Sequence, residues 1–293
     1  MNVIAQKIYN RILCNLYEMP CVRNPAEFHY QLALDKHLNY LPVLATKDLT
    51  LVKTLRSEGV AITSLEELSL PSTQKMIDAS NHLIPRIPPS ISGNKHEYVV
   101  HATSEQMMEY PEIFLWGLQK RLLNIVENYL GLPVAYHGAY FRRDLANNVK
   151  EKSRLWHLDK EDRKVIKIIV YPHDVNHDGG PFEYIPRSLT PTITRSLRDK
   201  YSYVQDNIIQ KVIPSSKWKS CTGPAGTVVF ADTRNVFHRG KIPVIADRFT
   251  IFYDYTCRQP LHPFYCKSSL PQDNLLSLTS TLSIEQRECV FWR

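Results

Sequence analysis

Trp156-His157-Leu158-Asp159 is answered later in the chain by Phe237-His238-Arg239-Gly240 and then by Arg248-Phe249-Thr250. A His-x-Asp pair joined at a distance by a second His is the ligand set of a 2-His-1-carboxylate facial triad. Such a triad holds Fe(II) on one face and leaves the opposite positions open for oxygen and a co-substrate. The pair alone decides nothing. With 11 His and 29 acidic residues in 293, about one His-x-Asp/Glu is expected by chance, and the chain has one. Its surroundings have to decide.

Alternation along a strand sends residues i and i+2 to the same face. A strand from Arg154 to Leu158 therefore projects His157 and Asp159 together, with Leu158 turned into the layer behind. In Arg248-Phe249-Thr250-Ile251-Phe252 the same rule puts Arg248, Thr250 and Phe252 on one face. An arginine and a hydroxyl turned into a barrel are costly unless paired. A bound carboxylate would satisfy both, since guanidinium offers a two-pronged fork and the threonine a further donor. His238 follows the strand Thr227–Phe230 and the polar turn Ala231-Asp232-Thr233-Arg234, so a turn between strands would carry it. Gly240 would let the chain reverse beside it.

The rest of the chain reads as a helical first part and a strand-rich second part. Ile4, Ile8, Ile12, Leu13 and Leu16 recur at helical spacing over residues 4–17, with only Lys7 and Arg11 opposite them. That amphipathic helix suits packing against the body or a second subunit better than a membrane surface. Asp48 to Ser57 reads as a helix stopped by Gly59, Val60 to Thr63 as a strand, and Ser64-x-x-Glu67 as a capping box. The proline-rich stretch 84–96 reads as a surface loop, with a pocket cover as the alternative. Pro111 to Leu130 reads as one helix, with Gly131 and Pro133 as its stop and Trp116 in the core. Short strands follow at Val134–Phe141, Val165–Tyr171, Pro181–Ile185, Thr227–Phe230 and Arg248–Tyr255, with a helical insertion over 192–212. Short strands with Gly- and Pro-marked turns after a helical half imply a mainly β fold with flanking helices, a sandwich or jelly roll. With no repeat or linker, residues 1–293 read as a single domain. Its parts are a largely helical 1–133, a core over 134–255 and a C-terminal extension over 256–293.

Bulk properties fit a globular protein: 43% hydrophobic and 22% charged residues, and no apolar run near the roughly 20 residues that span a membrane. The start of the chain lacks a secretory signal pattern, and the six Cys have no C-x-x-C spacing. Reduced thiols and a cytoplasmic location are the expectation. The net charge of +7 is spread out rather than run together. No nucleic-acid module accompanies it, so nucleic acid is not an expected partner. A solvated basic surface is the plain reading, and a basic pocket for a small anionic substrate the sharper one.

Trp156-His157-x-Asp159, Val165 to Tyr171, Asp174-Val175, Gly180-Pro181-Phe182 and Ile185-Pro186-Arg187-Ser188 are followed by Gly226 to Thr233, His238-x-Gly240 and Arg248. In order and spacing these segments resemble the phytanoyl-CoA dioxygenase-like family over roughly residues 134–255. Leu49 to Ile62 resembles the helix and strand that open many members, whereas 1–45 and 256–293 match no family pattern. The resemblance implies a double-stranded β-helix (jelly-roll, cupin-like) core, an Fe(II) centre, and 2-oxoglutarate and O2 as co-substrates. His157, Asp159 and His238 would be the iron ligands, and Arg248 with Thr250 would bind the distal carboxylate of 2-oxoglutarate. The implied reaction oxidises a small molecule of secondary or lipid-related metabolism by hydroxylation or oxidative dealkylation, releasing succinate and CO2. Two departures matter. Many members have Pro-Gly-Ser-His where this chain has Pro186-Arg187-Ser188-Leu189. Halogenating relatives replace the ligand carboxylate with a small residue, whereas Asp159 is present.

Candidate substrate contacts are Arg142, Arg143, Tyr140, Trp156, Arg187 and Lys167. As strand neighbours, only one of Arg142 and Arg143 can face the pocket. Tyr140 and Trp156 line it or sit in the core, Arg187 packs or contacts substrate, and Lys167 faces the pocket or snorkels to an edge. His173-Asp174-Val175-Asn176-His177-Asp178 is rich in ligand types but reads as a solvated hairpin turn. Two other functions fit the same residues: a cupin-like metal- or ligand-binding protein without oxygenase activity, and a polypeptide hydroxylase. A monomer or homodimer is expected.

Overall fold

The computed structural model describes residues 3–91, 93–197 and 202–292. Its strands are β1 (Val60–Ser64), β2 (Val99–His101), β3 (Val134–Asp144), β4 (Ile166–Val170), β5 (Phe182–Tyr184), β6 (Lys219–Cys221), β7 (Thr227–Asp232), β8 (His238–Gly240) and β9 (Arg248–Cys257). They form two antiparallel sheets, one ordered β1-β7-β4-β9-β3-β2 and the other β6-β5-β8. The fold is mainly antiparallel sheet with flanking helices, as the strand pattern implied.

Each face of the larger sheet has its own core. Ile166, Ile168, Val170, Phe230, Ile251, Tyr253 and Tyr255 face the helices Pro111–Trp116 and Lys120–Leu130 in the main cluster. Ile169, Tyr171, Val229, Ala231 and Phe252 face the other way and meet Phe182, Tyr184 and Val236 on the side of the small sheet. This period-2 sorting buries both faces, so β4 and β7 read as nearly continuous apolar runs. A third cluster, Trp156, Ile185, Ile193, Leu197, Val204, Ile209 and Phe237, joins the small sheet to the helices Thr190–Leu197 and Asp206–Ile209.

Several sequence expectations hold. The helix Thr46–Glu58 ends on Gly59 at φ 82°, and β1 follows at once. Ser64 caps the helix Leu65–Leu68 by accepting from the Glu67 N–H, while the Glu67 carboxylate takes the Thr63 hydroxyl instead of closing a box.

Others are corrected. The helix expected over Pro111–Leu130 breaks after Trp116 and restarts at Lys120. The Tyr136 hydroxyl donates to Phe114 O and the Tyr255 hydroxyl to Gly117 O, so strand side chains capture the carbonyls that a continuous helix would use. A Cβ at Gly117 would stand 2.5 Å from the Tyr136 hydroxyl, which is why only glycine fits there. Residues 154–158 do not form a strand. A one-turn 3-10 helix, Lys152–Arg154, is followed by single bridges from Trp156 to Val204 and from His157 to His238. β7 runs on through Asp232, which is fully buried and accepts from Tyr129 and Asn235, so the expected turn begins a residue or two later. His238 lies on strand β8 rather than in a turn.

The N-terminal helix forms as Val3–Tyr17, but Ile8, Ile12 and Leu16 are exposed rather than packed on the body. Its contact with the body runs through Tyr17 against His262 and Phe264, and through the Cys14 thiol donating to the Tyr265 hydroxyl. The side chains of Ile4 and Lys7, and residues 198–201 of the insertion, lie outside the described residues. Among the described residues, no helix is long and apolar enough to cross a membrane.

Candidate metal centre

Three backbone pairings replace the expected strand alternation in bringing the centre together. His157 and His238 exchange both backbone hydrogen bonds at 3.1 Å, and Asp159 N–H donates to Thr233 O at 3.0 Å. One donor atom from each of His157, Asp159 and His238 then falls within 4.8 Å of the others, a set that can hold a metal ion. His157 Nε2 lies 3.7 Å from Asp159 Oδ1, and His238 Nε2 lies 3.9 Å from Asp159 Oδ2.

Both imidazoles are presented in the ligand tautomer. His157 Nδ1 is 2.8 Å from Leu155 O and His238 Nδ1 is 3.1 Å from Val236 O. A carbonyl can only accept, so each Nδ1 carries the proton and each Nε2 lone pair is left for a metal. Burial keeps both rings neutral, with His157 shifted down and His238 pushed down to about 3. Phe182 stacks on the His238 ring at 5.5 Å, and the Tyr203 ring lies 5.2 Å from that of His157. Burial alone would push the Asp159 carboxyl up. The Lys167 ammonium outweighs it and holds the group well below the ordinary carboxylate range.

The centre opens on a cavity of about 190 Å³ between the sheets. The β3, β9 and β4 registers set its wall as cross-strand rungs: Asp144 with Arg248; Arg142 with Thr250; Tyr140 with Phe252 and Ile169; and Asp254 with Lys167. Arg248, Thr250 and Phe252 share the face assigned to them from sequence.

At one end Arg248 Nη2 meets Asp144 Oδ2 at 2.8 Å, Arg142 Nε reaches the same oxygen at 3.1 Å, and the Thr250 hydroxyl donates to it at 3.3 Å. The expectation that Arg248 and Thr250 require an external anion is therefore corrected, because Asp144 already faces both. The compensation is incomplete. Two guanidiniums share one carboxylate, and Arg248 Nε is buried without a partner. Burial would raise the Asp144 carboxyl, but Arg142 and Arg248 hold it down at about 2. Nearby Arg154 spends its fork on backbone carbonyls, among them those of Tyr98 and Val149. Gly240 does not reverse the chain. A Cβ there would stand 3.2 Å from Arg248 Nη2, so the glycine makes room for the guanidinium.

Of the candidate substrate contacts, Arg142, Tyr140 and Lys167 line the cavity. Arg143 points away, to Asp247 and Ile87 O. Trp156 is fully buried, donates to Asp206 and packs against Trp218. Arg187 ties Arg56 O to Tyr129, with Asp232 at 3.8 Å. These three serve the scaffold. The 173–178 stretch is a turn, in which Asn176 Oδ1 accepts from the backbone of Asp178 and Gly179. The 84–96 loop does not line the cavity, and its Ser92 lies outside the described residues.

Sequence reading missed Asp144, Asp254, His101 and Ser153, which also belong to this end or this wall. Asp254 had a signal, since the alternation that places Arg248, Thr250 and Phe252 on one face reaches it in one further step. Tyr171 lines the wall too, with its hydroxyl used by Cys221 O and the Phe182 N–H.

The buried titrating groups give the metal-free protein a pH dependence of stability. His238 at about 3 and the lowered His157 and His262 all sit below 6.5, so the unfolded chain takes up these protons first as pH falls. Glu161, pushed up to about 7 by burial and then by Asp159, works in the opposite direction because the folded state takes its proton first. Between about pH 7.5 and about pH 5 the three imidazoles outweigh Glu161, at about 1.4 kcal/mol per pH unit for each net proton, because the other raised carboxyls, Asp162, Asp232 and Asp254, start from 3.8, below that window. Stability is expected to be present above the unfolded imidazole value and to fall as pH drops below about 6.5. Urea midpoints measured at about pH 7.5 and about pH 5 check it; a midpoint that rises at the lower pH contradicts it.

No family model matches the chain, and no curated protein matches it. Among solved structures, HygX from Streptomyces hygroscopicus, with nickel and 2-oxoglutarate bound, is similar at a TM-score of 0.51 and 12% identity, over 73% of this chain and 88% of that one. EctD from S. alaskensis, in its apo form, is similar at a TM-score of 0.50 and 16% identity, over 76% of this chain and 81% of that one. At such identities the likeness is one of fold.

Proposed function

We propose that the chain is an Fe(II)- and 2-oxoglutarate-dependent dioxygenase of the phytanoyl-CoA dioxygenase-like kind, a single domain with a double-stranded β-helix core, oxidising a small molecule. The observation that carries this reading is the His157–Asp159–His238 donor set, its two Nε2 lone pairs freed by backbone carbonyls, beside a cavity with unspent positive charge at one end. Neutral imidazoles and one carboxylate suit a divalent first-row metal with open positions. HygX was crystallised with nickel and 2-oxoglutarate, which supports the same pairing here. When bound, iron and 2-oxoglutarate supply oxygen activation, with release of succinate and CO2.

The chain's own residues bind, orient and exclude water. Arg248 and Thr250 would take the distal carboxylate, and Arg142 adds a second cation beside it. That carboxylate gives the two guanidiniums and Asp144 a balancing charge. Ile169 and Phe252, which also line the cavity, present apolar surface that excludes water from the reacting end. Asp159 supplies a carboxylate ligand, which favours hydroxylation or related oxidation over halogenation.

A metal-binding protein without oxygenase activity is the second reading, favoured by one observation: Asp144 already pairs with Arg248. One titration separates the two. Under anaerobic conditions, Fe(II) with 2-oxoglutarate is expected to give a visible charge-transfer band. Metal binding without the band supports the second reading, and no metal binding at millimolar iron overturns both. Substrate-dependent succinate release, screened over metabolite extracts, then identifies what is oxidised.

A further inference from the structure

Among the described residues, Lys167 is the one lysine or arginine paired with a side chain of the proposed metal ligands, whereas Arg234 reaches only the Asp159 carbonyl. Its Nζ lies 2.8 Å from Asp159 Oδ2, off the direction of a hydrogen bond, and 3.9 Å from Asp254 Oδ2. The β4 register fixes this placement by setting Lys167 across from Asp254 on one side and Ala231 on the other. A lysine is costly on a strand whose neighbours Ile166, Ile168 and Ile169 are fully buried, and something must compensate it. Asp159 is the nearer of its two carboxylate partners.

The two oxygens of Asp159 are consequently not equivalent. Oδ1 lies 3.7 Å from His157 Nε2 and Oδ2 lies 3.9 Å from His238 Nε2, but only Oδ2 meets the ammonium, at 2.8 Å. From this asymmetry we infer that Lys167 is a positioning residue. It claims Oδ2, so that Asp159 offers a metal one oxygen and does not chelate with both. The inference rests on the proposed metal reading. Its consequence is an open coordination position, which a chelating carboxylate would fill. A second consequence follows from charge: ammonium and metal share one carboxylate and repel each other, so the lysine weakens metal binding while holding the ligand in place. Lys167 also keeps the buried Asp159 and Asp254 compensated before any metal arrives.

Co(II) alone, titrated into the full chain, is the probe. Lys167→Met keeps the unbranched apolar stem of the side chain and removes its ammonium. The variant is expected to bind Co(II) at least tenfold more tightly. Its visible Co(II) absorption should weaken as the second oxygen enters and the coordination number rises, and the metal-free protein should melt at lower temperature. Lys167→Arg, which keeps a cation beside Oδ2, is expected to restore the wild-type spectrum. A merely structural lysine would lower the melting temperature of the metal-free and metal-loaded forms alike and leave the spectrum unchanged. Affinity within twofold of wild type with an unchanged spectrum overturns the inference. Should Lys167→Met fail to fold, the double variant with Asp254→Asn removes the carboxylate left without its cation and carries the same expected spectrum and affinity. Failure of every form, wild type included, to bind Co(II) overturns the metal reading itself, a result distinct from an unaltered variant.

Discussion

Asp159→Ala is expected to lower the affinity for Co(II) or Fe(II) by at least a thousandfold and to abolish the anaerobic band with 2-oxoglutarate. The size of the effect comes from charge. Asp159 is the only anion in the donor set, and the two imidazoles that remain are neutral. One pair of unit charges about 4 Å apart is worth about 4 kcal/mol at an effective dielectric constant of 20, or roughly three powers of ten in binding. Removing the carboxylate also turns Lys167 from its partner into a bare ammonium facing the incoming dication, with Asp254 at 3.9 Å as the remaining counter-charge. His157→Ala removes a neutral ligand and no charge, so its loss should be smaller, about 10- to 100-fold, the scale on which single-site changes around a metal act. Calorimetric titration with Co(II) ranks the two variants. Equal losses, or an Asp159→Ala protein within tenfold of wild type, would show that charge does not govern this site.

The parts of the molecule legible in the sequence are those fixed by short-range pattern. Val165 to Tyr171 announces β4 by its β-branched run, Gly59 announces a helix end by needing a left-handed backbone, and the rule of two placed Arg248, Thr250 and Phe252 together. The parts that were not legible depend on register between distant strands. Asp144 reads as the start of a polar loop after Arg142-Arg143, and only the β3–β9 pairing turns it into the partner of Arg248. Lys167 was undecided for the same reason: alternation gives its face, but only the pairing with β9 brings Asp254 opposite. The break at Gly117 is set by Tyr136 and Tyr255, far along the chain, whose hydroxyls take carbonyls that the helix pattern assigns to the helix. Trp156 was left between pocket wall and core, the plainer reading for an aromatic, and the single bridge to Val204 turns it into the cluster behind.

Arg248→Leu is expected to weaken 2-oxoglutarate at least a hundredfold while leaving Co(II) affinity within about threefold. Hydrogen bonds to a charged group contribute about 1.5–3 kcal/mol each, and a guanidinium fork makes two. Their loss converts to about two to four powers of ten. The variant should still fold, because Arg142 stays on Asp144 at 3.1 Å and the buried carboxylate is not stranded. Arg248→Lys should recover little, since an ammonium supplies a point charge without the planar fork. Asp144 makes the prediction sharper by predicting the opposite sign for its own replacement. Within the cluster it is the anion that a bound carboxylate would accompany and in part compete with. Asp144→Asn frees positive charge on Arg142 and Arg248 and is expected to tighten 2-oxoglutarate about 3- to 10-fold, at some cost in stability to the ligand-free protein. Titration of 2-oxoglutarate into the Co(II)-loaded variants reads all three changes. Should Asp144 instead be the permanent partner of Arg248, wild type and Asp144→Asn alike would ignore 2-oxoglutarate. The cavity would then belong to a metal-binding protein that uses no such co-substrate.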